Sequence, residues 1–158
     1  MARSYGTATL TLTVTEAITL NSKDEGQTHS HTIASVSDIY RRTESIPTSE
    51  TTVLGFDGSA VGKGQFVEGN VKYLRITNLD DTNYVALFFK NENSDEVCIK
   101  VDKGQSFILC PDLSSGVVDV MDANTAGAAT KAGLGDLTEV RAQADTAAVD
   151  IEIYMALT

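Results

Sequence analysis

Residues 70–110 constrain the fold most, because apolar and polar side chains alternate there more densely than anywhere else in the chain. Alternation with a period of two places successive side chains on opposite faces of a β-strand. Short polar or glycine-containing segments interrupt the alternation around residues 80–83, 91–95 and 103–105. Strands joined in this way are typical of an antiparallel meander. We therefore expect four consecutive strands, each paired with its sequence neighbour.

A turn centred on Gly104 sets a register for the last two of these strands. Apolar side chains then face each other across the ladder, as stable cross-strand pairs do. The facing pairs are Ile99 with Leu109 and Val101 with Phe107. The same register places Cys98 opposite Cys110 on the outer face, so a cross-strand disulfide is geometrically possible. Free thiols are the expectation for a chain made in a cytoplasm.

Segments outside this block carry the same alternation and predict further strands. They are 8–20 (with a bulge near residues 16–17), about 28–37, 51–56, 65–67, 117–121, 137–144 and 149–157. Ile33 and Val36 fall out of strict phase, so the strand is expected to bend near residue 37, and residues 41–47 form a polar connection closed by Pro47. Residues 137–144 fit both a helical and a strand period, and the β context favours a strand. Residues 65–67 are only a short piece within the glycine-rich loop 58–69, and without it the total is about nine or ten strands.

A chain of 158 residues is the size of one domain, so residues 1–158 are expected to form a single unit. Many strands and no convincing helix predict an all-β fold, and two packed sheets are the usual way to bury them. The predicted architecture is a β-sandwich, jelly-roll-like in type. Residues 1–15 contain the start of the alternating segment, and a strand at a terminus can also serve as an arm that pairs with a neighbouring subunit.

The charge of the chain limits its partners. The net charge is −10 and the isoelectric point is near 4.5. Nucleic acid requires clustered Lys and Arg, and anionic lipid attracts basic surfaces, so neither is an expected partner. The N-terminal residues lack a basic segment followed by an apolar run, and no stretch of about 18 apolar residues occurs. We therefore expect neither export nor membrane insertion.

His29 and His31 are the only two histidines and lie two residues apart. In a strand they point to the same face, where two imidazoles are able to share a metal. Two ligands are too few for a structural zinc site in one chain, although a three-fold axis multiplies them to six. His-x-His on such an axis resembles the iron-binding motif of phage tail-fibre tips. The alternative is two exposed histidines on a polar strand.

Other motifs predict no chemistry. The glycine-rich segment 58–64 fails the spacing of a phosphate loop and lacks the Ser or Thr that such a loop needs. Asn91, Asn93 and Asp95 match the first ligands of a calcium loop, but Glu96 occupies the position of the essential glycine, so a polar hairpin turn is the better interpretation. No serine or cysteine has a recognisable catalytic motif. We expect a non-enzymatic chain without a cofactor.

Several segments in order, following a Thr-rich N-terminal strand, carry a resemblance to a known class. They are DIYRR (38–42), IPT (46–48), TVLGF (52–56), VKYLRITNL (71–79), QSFIL (105–109) and VDIEI (149–153). This order resembles small β-rich virion structural proteins of tailed bacteriophages, particularly marine and cyanobacterial ones. The resemblance implies a non-enzymatic capsid decoration (cement) protein located in the virion. Its implied partners are the major capsid protein or other virion proteins and further copies of itself, with a trimer as one form.

Exposed apolar positions and long loops are the expected contacts. The predicted interface residues are Tyr5, Leu10, Leu12, Val14, Phe66 and Val67, with the loops 58–69 and 122–136. Two alternatives stay open: a tail, collar or baseplate component, and a jelly-roll module that binds a carbohydrate or a receptor. Against the second, the chain has no Trp, and its few aromatic residues fall mostly in core-facing phase.

Overall fold

The computed structural model describes residues 6–57, 62, 64–111, 116–119 and 136–158. These residues contain thirteen β-strands and one 3₁₀ helix, Gly116–Asp119. The strands are β1 Ala8–Glu16, β2 Thr19–Leu20, β3 Lys23–Asp24, β4 Gln27–Val36, β5 Asp38–Ile46, β6 Thr51–Asp57, β7 Gln65–Val67, β8 Val71–Asn78, β9 Val85–Asn91, β10 Glu96–Val101, β11 Ser106–Leu109, β12 Leu137–Ala144 and β13 Val149–Leu157. Within the described ranges, no helix is long and apolar enough to cross a bilayer.

Two sheets form the body of the molecule. One has the strand order β10-β9-β12-β6-β7 and the other β11-β8-β13-β5. All neighbours are antiparallel except β6 and β7, which run parallel. The predicted all-β sandwich is confirmed, although the described strands number thirteen and not nine or ten. Connections that cross between two four-stranded units, with β7 as an added edge, are also compatible with a jelly-roll topology.

The core lies between the inner faces of these two sheets. Phe89 of the five-stranded sheet packs on Phe107 of the four-stranded sheet, with ring centroids 5.1 Å apart. Strand β13 supplies Ile151, Ile153 and Met155, all fully buried. The clean alternation of 149–157 therefore marks a central strand, as predicted. Strand β12 confirms the strand interpretation of 137–144.

The predicted meander is wrong in two of its three pairings, although its four strands occur where expected and the β9–β10 hairpin is confirmed. Strand β8 pairs with β11 and β13, whereas β9 pairs with β10 and β12. Ile99 lies opposite Leu87, and Leu109 lies opposite Leu74. Two of the three turns carry the chain from one sheet to the other. Because both sheets bury an apolar face against the same core, alternation alone does not distinguish a hairpin from such a crossing.

The predicted juxtaposition of the two cysteines is wrong for the same reason. Cys98 lies opposite Phe88 in the five-stranded sheet and is exposed. Cys110 directly follows β11 of the other sheet and is half-buried. Neither cysteine forms a disulfide.

A buried asparagine holds the crossings together. The Asn78 side chain donates to the backbone carbonyls of Asn83 (2.9 Å) and Val101 (3.2 Å). Its Oδ1 accepts a hydrogen bond from the backbone N–H of Asp80 (2.9 Å). The end of β8 in one sheet is thus joined to the end of β10 in the other. A buried polar side chain needs such partners, and here it finds three.

Two other sequence predictions are wrong. Residues 38–46 are not a bend followed by a polar connection but the edge strand β5, paired with β13 along its length. Its inner face carries Arg42, which donates to Glu44 (2.5 Å) and to the Val53 carbonyl (2.9 Å), so polar residues obscure the alternation. The predicted strand 117–121 is also wrong over residues 117–119, which belong to the 3₁₀ helix and include the buried Val117 and Val118. Residues 120–121 lie outside the described residues.

The remaining strands form a separate hairpin, which we call the arm (residues 8–36). Strand β1 pairs with β4, and β2 pairs with β3 towards the tip. Among the described strands, neither β1 nor β4 joins a ladder of the body sheets. The predicted strand 8–20 therefore exists as two pieces, with the irregularity near residues 16–17 between them.

A bulge in β4 explains the phase change noted in the sequence. Leu10 pairs with Ile33 while Ala8 pairs with Val36, so two residues of β4 oppose one of β1. Ser35 in this bulge has φ of +60°. The extra residue returns both Ile33 and Val36 to the face that packs on the body.

We expect Ser35→Gly to stabilise the arm by about 0.5 kcal/mol, because glycine adopts a left-handed conformation without the Cβ penalty. Ser35→Val should destabilise it by about 1–2 kcal/mol. The measurement is amide hydrogen exchange of the β1–β4 ladder. Ser30→Gly, in a regular part of the same strand, is the matched control and should weaken the ladder; a gain there equal to that at Ser35 would contradict the explanation.

Candidate interaction surface

The arm has two chemically different faces. Cross-strand partners share a face, and on the inner face these pairs are Leu10 with Ile33, Leu12 with His31 and Val14 with His29. On the outer face the pairs are Thr11 with Thr32, Thr13 with Ser30 and Thr15 with Thr28. The hydroxyls of Thr13 and Ser30 are 3.1 Å apart. The alternation of Thr with Leu and Val in β1 is therefore a division between a hydroxyl face and an apolar face.

The base of the arm packs on the body as a third layer. Ile33 and Val36 are buried, and the half-buried Leu10 and Leu12 pack against the same cluster. The outer face of the four-stranded sheet supplies the other side of this contact. It contributes Tyr73, Ala156, Tyr154 and the half-buried Cys110. At the junction, the Ser37 N–H donates to the Leu157 carbonyl (2.8 Å). The chain is therefore bonded to the body at the first residue after β4.

The rest of the arm is exposed. From residue 13 to residue 30 every residue is exposed except the half-buried Gly26. Val14, Ile18 and Leu20 are apolar yet have exposed fractions of 46, 54 and 58%. Large aliphatic side chains concentrated on one element in this way indicate a contact surface rather than scattered surface residues.

A tight turn closes the tip. Asn21 and Ser22 have φ of 51° and 65°, and they connect the paired residues Leu20 and Lys23. Two consecutive residues with positive φ are typical of a type I′ hairpin turn. Two strands alone are marginally stable in water, and a third strand or a packing surface usually supports them. The exposed part of the arm therefore has the features of an element that is covered in an assembly.

The predicted interface residues fall into two groups. Leu10, Leu12 and Val14 lie together on the inner face of the arm, with both histidines between or beside them. Phe66 and Val67 belong to β7, at the edge of the five-stranded sheet, and are half-buried. Phe66 packs edge-on against Tyr40, with ring centroids 4.9 Å apart. Tyr5, residues 122–135 and most of 58–63 lie outside the described residues.

The two histidines share the inner face as expected. His29 is exposed, whereas His31 is half-buried and its Nε2 is buried without a hydrogen-bond partner. In the part of the chain that the structure describes, no group of three or more His, Cys, Asp or Glu side chains is arranged to hold a metal ion. The inner face of the arm thus combines apolar contacts with one half-buried imidazole.

An ion-pair network, not predicted from the sequence, lies beside the arm base. Glu152 of β13 is 8% exposed and receives hydrogen bonds from Arg41 (2.7 Å) and Arg75 (2.6 Å) on the neighbouring strands. These bonds hold the pKa of Glu152 below its usual range. Arg75 also lies over the Tyr154 ring, 5.6 Å from its centroid. Sequence reasoning missed this network because the three residues are brought together by strand order alone.

Between the arm base and this network lies a cavity of about 220 Å³. Its walls are mainly apolar or aromatic and come from both layers. They are Leu10, Thr11, Leu12, Tyr73, Arg75 and Tyr154. The arm of this chain therefore leaves a gap against the sheet, which we call the base gap.

A larger cleft, of about 750 Å³, lies where β5 approaches β6 and β7. Its charged groups are largely paired with one another. Arg42 bonds Glu44, and Glu139 receives hydrogen bonds from Arg141 (2.6 Å) and Thr52 (3.3 Å). Burial alone would raise the pKa of Glu139, but the bonds and charge of Arg141 outweigh it and the pKa is lowered. These pairs join neighbouring positions along the edge of the sandwich.

The separation of the cysteines leads to a prediction for thiol chemistry. Burial, followed by the charges of Glu96 and Glu50, raises the pKa of the Cys98 thiol. Because the thiolate is the nucleophile, alkylation of Cys98 at pH 8 should be slower than that of a free thiol despite its exposure. Glu96→Gln should speed the reaction, whereas Glu92→Gln, in the preceding turn, should leave it unchanged. Mass spectrometry of iodoacetamide-treated protein measures both, and finding a Cys98–Cys110 disulfide in the folded chain would contradict the assignment.

Comparison with known proteins adds no relative to this description. No protein-family model, no curated protein and no solved structure matches the chain.

Proposed function

We propose that this chain is a non-enzymatic structural protein of a tailed-phage virion, and specifically a capsid decoration protein. It stabilises the head by contacts between subunits, and its partners are the major capsid protein or other virion proteins and further copies of itself. The observation that supports this proposal is the arm, in which Val14, Ile18 and Leu20 are held away from the body on exposed strands. The resemblance of the chain order to small β-rich virion proteins points in the same direction.

The physical mechanism is burial of apolar surface at an extended contact. Each aliphatic side chain that becomes fully buried contributes about 1.5–3 kcal/mol relative to exposure. Such gains are small per copy but add over a particle in which many copies repeat the contact. The sandwich positions the arm, because its base is packed on Tyr73 and anchored at Ser37.

The location of the chain in a particle tests the proposal. Antibody labelling and quantitative mass spectrometry of purified particles should place the chain on the head in hundreds of copies. A few copies at one vertex or along the tail would favour a tail, collar or baseplate component. Absence of the chain from purified particles would overturn the structural role.

Shortening the arm should leave the fold stable and remove binding to the particle. Replacing residues 14–29 with Asn-Gly joins Thr13 to Ser30 through a two-residue turn, and these two residues already pair. We expect the free energy of unfolding to change by less than about 1 kcal/mol, because the removed side chains are exposed. Binding to particles that lack the chain should be lost. Undiminished binding by this variant would contradict the role of the arm, and the outer-face variant Thr13→Ser is the control that should bind normally.

A further inference from the structure

Two surfaces of this chain complement each other. The arm tip presents Ile18 and Leu20, which are 54 and 58% exposed. The base gap, of about 220 Å³, is open towards solvent and has Leu12, Tyr73 and Tyr154 among its walls. An exposed aliphatic side chain and an apolar gap of side-chain size form a matched pair, as in interfaces where an anchor residue fills a pocket.

The chain does not bring these two surfaces together within one molecule. Leu20 is eight residues beyond Leu12 along the arm, so roughly 25 Å separate them in extended strands. The tip closes in a tight turn at Asn21–Ser22, and the strands before it are paired. A paired hairpin of this length does not fold back onto its own base.

We infer that the arm tip of one copy docks into the base gap of a second copy. This inference deepens the proposed function by naming a partner of the arm, and it rests on that proposal only in treating the arm as a contact element. Ile18 and Leu20 enter the gap and cover the rings of Tyr73 and Tyr154. The surface that binds and the surface that is bound differ, so the contact is heterologous.

Charge at the two surfaces favours the same partner. The tip carries Glu16, Asp24 and Glu25 against a single cation, Lys23, which pairs with Glu25 at 2.8 Å. The base gap is bordered by Arg75, and Arg41 beside it has a side chain that is 68% exposed. Both arginines pair with the single carboxylate of Glu152, so the border keeps one net positive charge. Acidic tip and basic border are complementary, which steers association and fixes register. An acidic chain as a whole would otherwise repel a second copy.

A fluorescent reporter tests the docking directly, because the chain contains no tryptophan. Leu20→Trp introduces a single tryptophan at the tip. Its emission should shift to the blue and resist acrylamide quenching as the protein concentration rises, in step with the mass measured by sedimentation. Val97→Trp, at an exposed apolar position on the five-stranded sheet, is the control and should stay solvent-exposed at every concentration.

Two complementary variants then identify the surfaces. Ile18→Ser combined with Leu20→Ser removes the side chains that dock, and Leu12→Phe fills the gap. Each should weaken self-association by at least about tenfold, which corresponds to about 1.4 kcal/mol. A mixture should form a one-to-one pair, because an intact tip of one variant meets an intact gap of the other.

Monomers at all concentrations, or assembly of both variants like that of the unchanged chain, would overturn the inference. If Leu12→Phe fails to fold, the Leu20→Trp measurement still tests whether the arm tip docks. Either negative result would leave the head location to be decided by particle labelling. A chain absent from particles but still self-associating through the arm tip would, conversely, overturn the proposed function alone.

Discussion

Replacing Phe89 with alanine is expected to lower the free energy of unfolding by about 3–5 kcal/mol, the range for truncating a buried aromatic residue. Phe89 is 1% exposed, and its ring meets Phe107 of the opposite sheet at 5.1 Å between centroids. The truncation leaves a cavity between the two sheets that strand backbones are unable to close. Urea denaturation followed by circular dichroism measures the loss.

The neighbouring phenylalanine is the matched control for this prediction. Phe88 lies on the same strand with its side chain on the outer face, where it is half-buried. Phe88→Ala removes the same atoms and should lower the free energy of unfolding by less than about 1.5 kcal/mol. Equal losses for the two variants would show that β9 does not present Phe89 to the core.

Replacing Glu152 with glutamine is expected to lower the free energy of unfolding by about 2 kcal/mol at neutral pH, because hydrogen bonds to charged groups contribute about 1.5–3 kcal/mol. The carboxylate receives bonds from Arg41 and Arg75, and its removal leaves the less exposed Arg75 without its ionic partner. Chemical denaturation at several pH values measures the effect. Exposed ion pairs elsewhere on the surface contribute much less.

The pH dependence of this loss has a definite sign. The pKa of Glu152 is lowered in the folded state from the ordinary value of 4.5. Its contribution is therefore complete above about pH 4.5 and is lost as the pH falls through the lowered folded-state pKa. The difference between Glu152→Gln and the unchanged chain should shrink over that acidic window. Glu92→Gln, at an exposed glutamate, should show no such difference, and a pH-independent loss at Glu152 would contradict the ionic explanation.

The described strands show where local sequence is sufficient to predict structure. Strands with an inner apolar face and an outer polar face, such as β9 and β13, were predicted because alternation reflects burial on one side. Strand β5 was missed because its inner face carries Arg42 and Glu44 at a sheet edge, where polar groups reach solvent or each other. The valines of the 3₁₀ helix were assigned to a strand, although two consecutive buried residues do not match the alternation of a strand buried on one face.

The arm illustrates the same limit for the candidate site. The alternation of Thr with Leu and Val predicted a strand at residues 8–20 and, with the residues before it, a candidate contact surface at residues 1–15. It did not predict that the strand's partner is β4, nor that Leu10 and Leu12 pack on their own body. The pairing of β1 with β4 was not predicted because the bulge at Ser35 shifts Val36 out of phase with Ile33.

The amino-acid sequence by itself determined the fold class, the position of most strands and which of their faces are apolar, because these depend on local alternation and turn residues. The tertiary structure alone decided which strands are neighbours, since two sheets with apolar inner faces accept more than one pairing that satisfies the same alternation. It therefore also decided that Cys98 and Cys110 lie apart and that Glu152 meets two arginines. It decided finally that the N-terminal strand is half packed and half exposed, because the body covers Leu10 and Leu12 but not Val14.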